Sequence, residues 1–397
     1  MRKICVVTGT RAEYGILSRL MGKLRDSADV CLQVVATNMH LSPAHGMTVN
    51  EIIADGFNID FKIPLPLDDD SPRGTVKAMG EALKGFAEAF ASLDPDMILI
   101  LGDRYEMLAA ASAATIFGIP IVHLHGGEIT EGAYDDAIRH AITKLSTYHF
   151  TATEEYRRRV IQMGEEPERV FNAGSLGVDN IRNEKPMSIS DLNASIHGLI
   201  PDMDFDLKEG FMLVTFHPVT RQPEEAEAQT RTLLETLDEF KGHQIIFTMP
   251  NSDTGGRRVA DMIRRWTENN RSRSVCVTSL GRARYYSALS HCGAVIGNSS
   301  SGLIEAPSFA IPTVNIGDRQ RGRVAGNTVI NCGVDKDSIR SAIEKSLTPA
   351  FLKYCREEGE NPYARPGSLD FIYNYLLTLP ATKHTPKHFH DLNGIIC

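Results

Sequence analysis

The sequence predicts an α/β protein built from two doubly wound domains, each with a parallel β-sheet. Short apolar runs alternate with stretches of helical length along most of the chain, a pattern typical of parallel sheets covered by helices. The runs are apolar on both faces, as expected for buried parallel strands. The alternation weakens once, at residues 183–209, and then starts again. We therefore expect one domain at 1–182, a second at 183–364, and a C-terminal helix and tail at 365–397 that pack back on the first.

The clearest strand–helix–strand unit lies within residues 94–139. Two apolar runs, 97–101 and 119–124, flank an Ala-rich stretch at 106–117. In parallel sheets, ligands bind outside the carboxyl ends of the strands. Several ionisable residues fall at the ends of these two runs, namely Asp103, Arg104, His123, His125 and Glu128. So many titratable groups at adjacent strand ends indicate acid–base chemistry at that edge of the sheet.

Composition narrows the class of protein. The 397 residues are enough for two or three domains, and a hydrophobic fraction of 42% allows two substantial cores. The net charge of -8 argues against general nucleic-acid binding. No run approaches the roughly 20 apolar residues that a membrane helix needs, and the N-terminus does not resemble a signal peptide. The seven cysteines are scattered, without a CxxC pair. We expect a cytoplasmic protein with reduced thiols and no membrane partner.

The N-terminal strand, predicted at residues 3–8, leads into a tight turn at 9–13 and then a helix. A glycine-containing turn that opens a helix favours anions, because free backbone N–H groups and the positive helix end point at the ligand. Arg11 adds a full positive charge to this turn. The turn lacks both GxGxxG and the Walker lysine, so neither a nicotinamide dinucleotide nor a P-loop is indicated. A surface arginine beside an ordinary turn is the alternative interpretation.

The rest of the first domain follows the same alternation. We predict strands at 30–37, 57–63, 148–152 and 170–173, and helices at 48–54, 75–93, 133–145 and 154–164. Thr153 is a suitable N-cap for the last of these helices. The polar loop at 38–48 contains two histidines and is longer than a plain connection requires, which indicates a functional loop.

The second domain repeats the pattern. We predict strands at 211–216, 244–248, 275–278, 294–297 and 313–316, and helices at 224–240, 255–270, 282–290 and 303–309. Polar residues again follow the strands, among them His217 and Asn251. Two doubly wound domains in tandem are expected to form a cleft between their strand ends, which is a common place for ligands.

A second anion turn is predicted at residues 298–302, where three serines and a glycine connect a strand to a helix. Arg319, after the next strand, is placed to pair with a phosphate. Glu305 lies in the following helix, and its carboxylate suits the vicinal hydroxyls of a ribose rather than a phosphate. The alternative is that the serines only cap a helix. Together with Arg11 and the acidic and histidine cluster, the pattern predicts an enzyme that binds a nucleotide diphosphate carrying a further group.

Five motifs resemble those of the hydrolysing UDP-N-acetylglucosamine 2-epimerases, in the same order and over nearly the whole chain. They are GTRAEYG at 9–15, GDR at 102–104, HGGE at 125–128, DDAIRH at 135–140 and GNSSSGLIE at 297–305. The resemblance implies a GT-B-like fold, a homodimer or homotetramer, and no metal or redox cofactor. It also implies the reaction, in which UDP is eliminated from the sugar and water adds to the resulting 2-acetamidoglucal with inversion at C2.

The resemblance assigns roles to individual residues. The matched UDP-binding positions are Arg11, Arg104, His217, Asn251, Leu280, Ser299, Ser300, Glu305 and Arg319. The matched or candidate catalytic positions are Asp103, His125, Glu128, Asp135 and His217. His125 stands where many members of the family have a glutamate, and His125, Glu128 or Asp103 could take over its role. Two structural alternatives stay open: Asp135 could serve solely to stabilise a helix N-terminus, and Asp103 could serve solely as an ion-pair partner of Arg104.

Four functions are compatible with these residues. The leading one is conversion of UDP-N-acetylglucosamine to N-acetylmannosamine and UDP for sialic-acid synthesis. The second is the same reaction on UDP-N,N'-diacetylbacillosamine, toward legionaminic acid; the loop at 38–46 resembles relatives of this type. A glycosyltransferase of the same fold and a non-catalytic nucleotide-sugar sensor are the third and fourth. The clustered Asp103 and Asp135 argue against a sensor.

Overall fold

The computed structural model describes residues 1–131, 134–182, 184–218, 225–250 and 256–392. The chain forms two compact units. The first contains Met1–Glu128, Asp135–Asn180 and Tyr363–Cys397, and the second contains Ile129–Tyr134 and Ile181–Pro362. Each unit contains one parallel sheet with helices, so the predicted class of two doubly wound α/β domains is confirmed.

The described part of the first unit contains a seven-stranded parallel sheet, in the order β3-β2-β1-β4-β5-β6-β7. Its strands are β1 Arg2–Thr8, β2 Val30–Thr37, β3 Phe61–Ile63, β4 Met97–Leu101, β5 Ile121–Leu124, β6 Tyr148–Thr151 and β7 Val170–Asn172. The strand order reverses between β1 and β4, which pair directly. Ligands of open α/β sheets bind outside the strand ends at such a reversal. The loops after Thr8 and Leu101 therefore form the expected site.

Helices cover both faces of this sheet. Their bounds are α1 Arg11–Arg25, α2 Val49–Ala54, α3 Pro72–Leu93, α4 Tyr105–Ile116, α5 Asp135–Leu145, α6 Glu154–Gln162 and α7 Leu176–Arg182, with α15 Ser368–Thr378 near the C-terminus. One core is built from β-strand side chains with α1 and α15. The other is built from the opposite side chains of the sheet with α3 and α4. Burial on both faces explains why the strands are continuous apolar runs.

The described part of the second unit contains a six-stranded parallel sheet in the order β10-β9-β8-β11-β12-β13. Its strands are β8 Met212–Thr215, β9 Ile245–Thr248, β10 Ser274–Val277, β11 Ala294–Gly297, β12 Thr313–Ile316 and β13 Val329–Cys332. Its helices are α8 Ile189–Leu199, α9 Ala226–Leu237, α10 Gly256–Asn269, α11 Gly281–His291, α12 Ser301–Ile304, α13 Lys336–Ser346 and α14 Pro349–Glu358. The order reverses between β8 and β11, so the loops after Thr215 and Gly297 occupy the reversal of this sheet.

The differences from the predicted elements include the following segments. Helix α8 lies in the region of weak periodicity; it is short and buries only Leu192 and Ile196, so its pattern is faint. The helix predicted at 303–309 is divided into α12 and a 3₁₀ turn, Ala306–Phe309, where Pro307 has no N–H to continue an α-helix. The loop predicted at 38–48 contains two 3₁₀ turns, Asn38–Leu41 and Pro43–His45. None of the helices in the described ranges is long and apolar enough to cross a membrane.

Candidate functional site

The turn after β1 is held by a carboxylate at the start of α1. Thr10 is the N-cap residue, and its hydroxyl accepts from the Glu13 N–H at 3.4 Å. Glu13 Oε2 in turn accepts from the N–H groups of Gly9 at 2.7 Å and Thr10 at 3.2 Å. This is a capping box, which fixes the chain entering the helix. Arg11 is the first residue of α1, so the predicted anion turn has the expected strand-to-helix geometry.

The loop after β4 contains the next two candidates. Gly102 has φ of 84°, a left-handed conformation that glycine adopts without strain. Asp103 follows and accepts a hydrogen bond from the guanidinium of Arg139 on α5. Arg104 is the N-cap residue of α4 and is buried; its Nε donates to Glu106 Oε1 at 2.8 Å. Ion pairs thus join Asp103 to Arg139 and Arg104 to Glu106.

The loop after β5 places His125 against Glu128. His125 Nδ1 lies 2.9 Å from Glu128 Oε1, and both side chains are buried. Since a carboxylate only accepts, Nδ1 carries the hydrogen of this bond. His125 Nε2 is also buried, and it has no hydrogen-bond partner in the part of the chain that the structure describes. The backbone of His125 has φ of 64°, which is uncommon for a non-glycine residue and is often found at functional sites.

Arg139 connects the two loops. One guanidinium nitrogen donates to the Asp103 carboxylate, and Nη1 donates to the backbone oxygen of Glu128 at 2.9 Å. Only 2% of its surface is exposed. Asp135 lies one turn earlier in the same helix, in its first turn. Residues four apart lie on the same helix face, so α5 brings Asp135 to the side of Arg139 and Asp103.

His123 lies inside β5 and is fully buried. Its Nε2 donates to the Gly102 oxygen at 2.8 Å, and its Nδ1 lies 3.3 Å from the hydroxyl of Thr143. Burial lowers the pKa of His123 to about 3, so the ring is neutral at pH 7. The sequence placed His123 among the acid–base candidates, but these contacts give it a structural role below the Gly102 turn.

In the second unit, Asn298 joins the ends of β8, β11 and β12. Its Oδ1 accepts from the His217 N–H at 2.7 Å, and its Nδ2 donates to the His217 oxygen at 2.9 Å. Its own backbone oxygen accepts from Arg319 Nη1 at 3.1 Å and from Gln320 Nε2 at 2.8 Å. The structure therefore brings His217 and Arg319 to the same residue, although they are 102 positions apart in the sequence.

The serine turn follows Asn298 directly. Ser299 and Ser300 are partly exposed at the start of α12, and the Ser299 hydroxyl accepts from the Ser301 N–H at 3.4 Å. Glu305 is mostly buried directly after α12, not one turn inside a longer helix as predicted. Burial, and then the charge of Glu305, raise the pKa of Tyr286. Leu280 precedes α11 and packs in an apolar cluster with Tyr286.

Asn251 lies outside the described residues, so its predicted role is not tested by the geometry. Three residues that support the candidates were not singled out by sequence reasoning, namely Glu106, Asn298 and Gln320. Asn298 falls within a recognised motif, which was the available signal, whereas Glu106 and Gln320 gave none. Within the described ranges, no three or more His, Cys, Asp and Glu side chains are grouped so that they could hold a metal ion.

Comparisons with known proteins agree with these motifs. A family model described as UDP-N-acetylglucosamine 2-epimerase matches residues 22–377. The chain is 40% identical over 350 residues to the GDP/UDP-N,N'-diacetylbacillosamine 2-epimerase (hydrolyzing) of Campylobacter jejuni subsp. jejuni, with 88% of each chain covered. It is 39% identical over 380 residues to the UDP-N,N'-diacetylbacillosamine 2-epimerase (hydrolyzing) of Legionella pneumophila subsp. pneumophila, covering 96% of this chain and 97% of that one.

A solved structure gives the fold. The crystal structure of the Methanocaldococcus jannaschii UDP-GlcNAc 2-epimerase, in complex with UDP-GlcNAc and UDP, matches with a TM-score of 0.78 and 17% identity. The match covers 95% of this chain and 100% of that one, and it confirms the GT-B-like class. The family model, the two relatives and the motifs at both strand-order reversals lead to one conclusion: the chain belongs to the UDP-N-acetylglucosamine 2-epimerase family.

Proposed function

We propose that the protein is a hydrolysing 2-epimerase that releases UDP and the free 2-epimerised sugar from UDP-N,N'-diacetylbacillosamine. The observation that carries this substrate is the similarity, at 40% and 39% identity, to two relatives with that substrate in their names. This reverses the order of the two substrates that the sequence alone favoured. The dimer or tetramer that the resemblance implies and the cytoplasmic location expected from the scattered cysteines stay predictions.

The proposed reaction has two balanced steps. A base removes the C2 proton, the electron pair forms the C1–C2 double bond, and the C1–O bond breaks to release UDP. Water then adds across the double bond, with hydroxyl at C1 and a proton at C2 on the opposite face. The C2 proton is weakly acidic, so the base must be close and poorly solvated. The leaving diphosphate needs positive charge and N–H donors.

His125 and Glu128 supply the base in this proposal. Glu128 accepts the Nδ1 hydrogen of His125, which leaves the lone pair of the ring at Nε2. That atom is buried and has no hydrogen-bond partner among the described residues, so its lone pair is available to accept a proton. We assign it the role of the glutamate that many family members have here. We assign Asp103 and Asp135 to the return of a proton to C2 on the opposite face of the sugar. Arg139 donates to the Asp103 carboxylate and fixes its position.

Nucleotide contacts are proposed for each unit separately, in the loops at its own strand-order reversal. Arg11 and Arg104 carry the positive charge of the first unit. In the second unit, the proposed contacts are His217, Leu280, Ser299, Ser300, Glu305 and Arg319. The contacts of Asn298 support this set, because one residue holds the His217 backbone and the Arg319 guanidinium. His217 also remains a candidate for proton transfer to the leaving group.

UDP-N-acetylglucosamine is the second candidate substrate, because it gives the matched family model its description. The two donors differ at C4 and C6 of the sugar. We assign the recognition of this difference to the loop at 38–46. The His40 N–H donates to the Gly9 oxygen at 3.3 Å, and Asn38 Nδ2 donates to the Tyr105 hydroxyl at 3.0 Å. The loop therefore borders the anion turn and the start of α4.

The test is NMR of the products formed from each donor in deuterated water. The proposal expects free 2-epimerised sugar with deuterium at C2, and a higher kcat/KM on the diacetylbacillosamine donor. A site built to hydrogen-bond the 4-acetamido group rejects a donor that lacks this group by a large factor, so a clear preference for the diacetylbacillosamine donor is expected. A higher kcat/KM on UDP-N-acetylglucosamine would establish the second candidate. Product without deuterium would exclude elimination and hydration, and an acceptor-dependent product would indicate a glycosyltransferase.

Asp103→Asn tests the role of Asp103 in the chemical step. If Asp103 takes part in proton transfer, kcat should fall by about 10² or more. The surface variant Asp26→Asn, outside these loops, should keep the kcat of the original protein. Equal turnover of Asp103→Asn and Asp26→Asn would remove Asp103 from the mechanism.

A further inference from the structure

Two glutamates lie against the backbone of Gly9 in the first anion turn. Glu13 Oε2 accepts from the Gly9 N–H at 2.7 Å. On Glu106, Oε1 would lie 2.5 Å from a Cβ added to Gly9, so this carboxylate occupies the space where another residue would have a side chain. Glu106 is fully buried and Glu13 is 6% exposed. Two buried acids at a turn that is predicted to bind an anion are unexpected, because their charges oppose the ligand.

One carboxyl oxygen of Glu13 and one of Glu106 lack a hydrogen-bond partner among the described residues. Glu13 Oε1 and Glu106 Oε2 are both buried and have no hydrogen-bond partner in the described ranges. Their other oxygens accept from the turn and from Arg104 Nε, respectively. A proton on one of these two unpartnered oxygens would supply a hydrogen-bond donor. It would also remove one of two neighbouring negative charges.

We propose that Glu13 and Glu106 share one proton and together position Arg104 and the 9–11 turn for the diphosphate of the substrate, so that nucleotide binding takes up a proton. The inference rests on the proposed function, since it assumes that this turn binds the diphosphate. Glu106 is a positioning residue, acting through the guanidinium of Arg104. Glu13 holds the turn through its two backbone N–H groups.

Charge counting gives the direction of the linkage. With both acids ionised, the trio of Glu13, Glu106 and Arg104 has a net charge of about -1, and with one proton it is neutral. Burial, and then the charge of Glu106, raise the pKa of Glu13 to about 8, against the opposing effect of Arg104. The other groups near the turn are Arg11 and the neutral His40, whose N–H donates to the Gly9 oxygen. A bound diphosphate favours the protonated state further, so the proton comes from the buffer on binding.

The experiment is calorimetric titration of UDP into the full-length protein at pH 8, in two buffers with different ionisation enthalpies. The difference in heat between the buffers gives the number of protons taken up. The expected uptake is up to about half a proton per UDP, because a group with a pKa of about 8 is half protonated in the free protein. Glu13→Gln keeps the size of the side chain and should abolish this uptake while UDP still binds. Glu88→Gln, on the exposed face of α3, should keep it.

Glu106→Gln tests the positioning role. Losing the carboxylate that holds Arg104 should weaken UDP binding about tenfold and raise KM more than it lowers kcat. Removal of the neighbouring charge should also move the pH of maximal proton uptake downwards. A purely structural role for Glu106 would not produce that pH shift.

The outcomes separate this inference from the proposed function. UDP binding with uptake that disappears in Glu13→Gln supports the shared proton. UDP binding without uptake, or with the same uptake in Glu13→Gln as in Glu88→Gln, overturns it and leaves the proposed function intact. Failure of the unmodified protein to bind UDP at all counts against both.

Discussion

Arg139 is the residue on which the geometry of the first candidate cluster depends. It is buried and donates to the Asp103 carboxylate and to the Glu128 backbone. Arg139→Met removes the positive partner of Asp103, which is 23% exposed as a side chain. Breaking a buried pair from one side typically costs about 3–5 kcal/mol, and the partial exposure of Asp103 places the expected loss near 3 kcal/mol. Urea unfolding measures this loss.

Arg158→Met is the matched control, because the Arg158 side chain is 79% exposed and its Nε lies 3.7 Å from Glu154 Oε1. Its free energy of unfolding should change by less than about 1 kcal/mol. Equal unfolding midpoints for the two variants would show that Arg139 does not bridge the loops.

The buried, neutral His123 should make the free energy of unfolding depend on pH. Burial lowers the pKa of His123 from 6.5 to about 3. Below pH 6.5 the unfolded chain binds a proton at this site and the folded protein does not, so stability falls as the pH decreases from 6.5 towards 3. One such histidine should contribute about 1 kcal/mol of loss between pH 6 and pH 5. His123→Gln should lose this component of the slope in urea unfolding at the two pH values.

His388→Gln provides the comparison for this slope, because His388 is an exposed residue of the C-terminal tail. Its variant should keep the pH dependence of the unmodified protein. His40 adds a similar component, since burial lowers its pKa to about 4, and for that reason His123→Gln should reduce the slope without removing it. An unchanged slope in His123→Gln would contradict a buried neutral His123.

At the scale of the element, the sequence was most informative where burial is uniform. Strand β4 has the predicted bounds because all five of its residues are buried and apolar. Helix α8 was missed because two buried residues give little periodicity. The candidate residues were found from their position after strands, but their partners were not. The bond between Arg139 and Asp103 joins positions 36 apart, and local periodicity contains no information about which distant side chains meet.

The turn after β11 depends on a glycine for two separate reasons. Gly297 has φ of 134°, and an added Cβ would lie 2.0 Å from the Thr215 backbone oxygen. Gly102 has φ of 84°, but an added Cβ would meet nothing within 4 Å. Gly102→Ala should therefore cost only the backbone strain, about 1–2 kcal/mol. Gly297→Ala must also displace β8, so its loss in free energy of unfolding should clearly exceed that of Gly102→Ala. Similar losses would mean that β8 moves away without cost.

At the scale of the whole molecule, neither unit is continuous in sequence. Residues 129–134 group with the second unit, where the Glu131 N–H donates to the Arg321 oxygen at 3.2 Å. The sequence placed these residues in the first domain, because their position between a strand and a helix gives no sign of a partner almost 200 positions later. The return of the chain to the first unit at Tyr363 was easier to anticipate, since α15 has a conventional apolar face that packs against α1.

Lys387 of the C-terminal tail forms an ion pair with Glu165 of the first unit, and one substitution tests whether this pair stabilises the unit. Lys387 Nζ lies 2.7 Å from Glu165 Oε2 and donates to the oxygens of Lys144 and Ser146. Although burial acts to raise it, hydrogen bonds from His149, Lys144 and Lys387 hold the pKa of Glu165 at about 2. Lys387→Met removes one of these donors, and Glu165 keeps the others, so the expected loss is about 1–3 kcal/mol in urea unfolding. Lys353→Met, on an exposed lysine of α14, should change the midpoint little. If both variants unfold at the same urea concentration, the tail does not stabilise the first unit through Glu165.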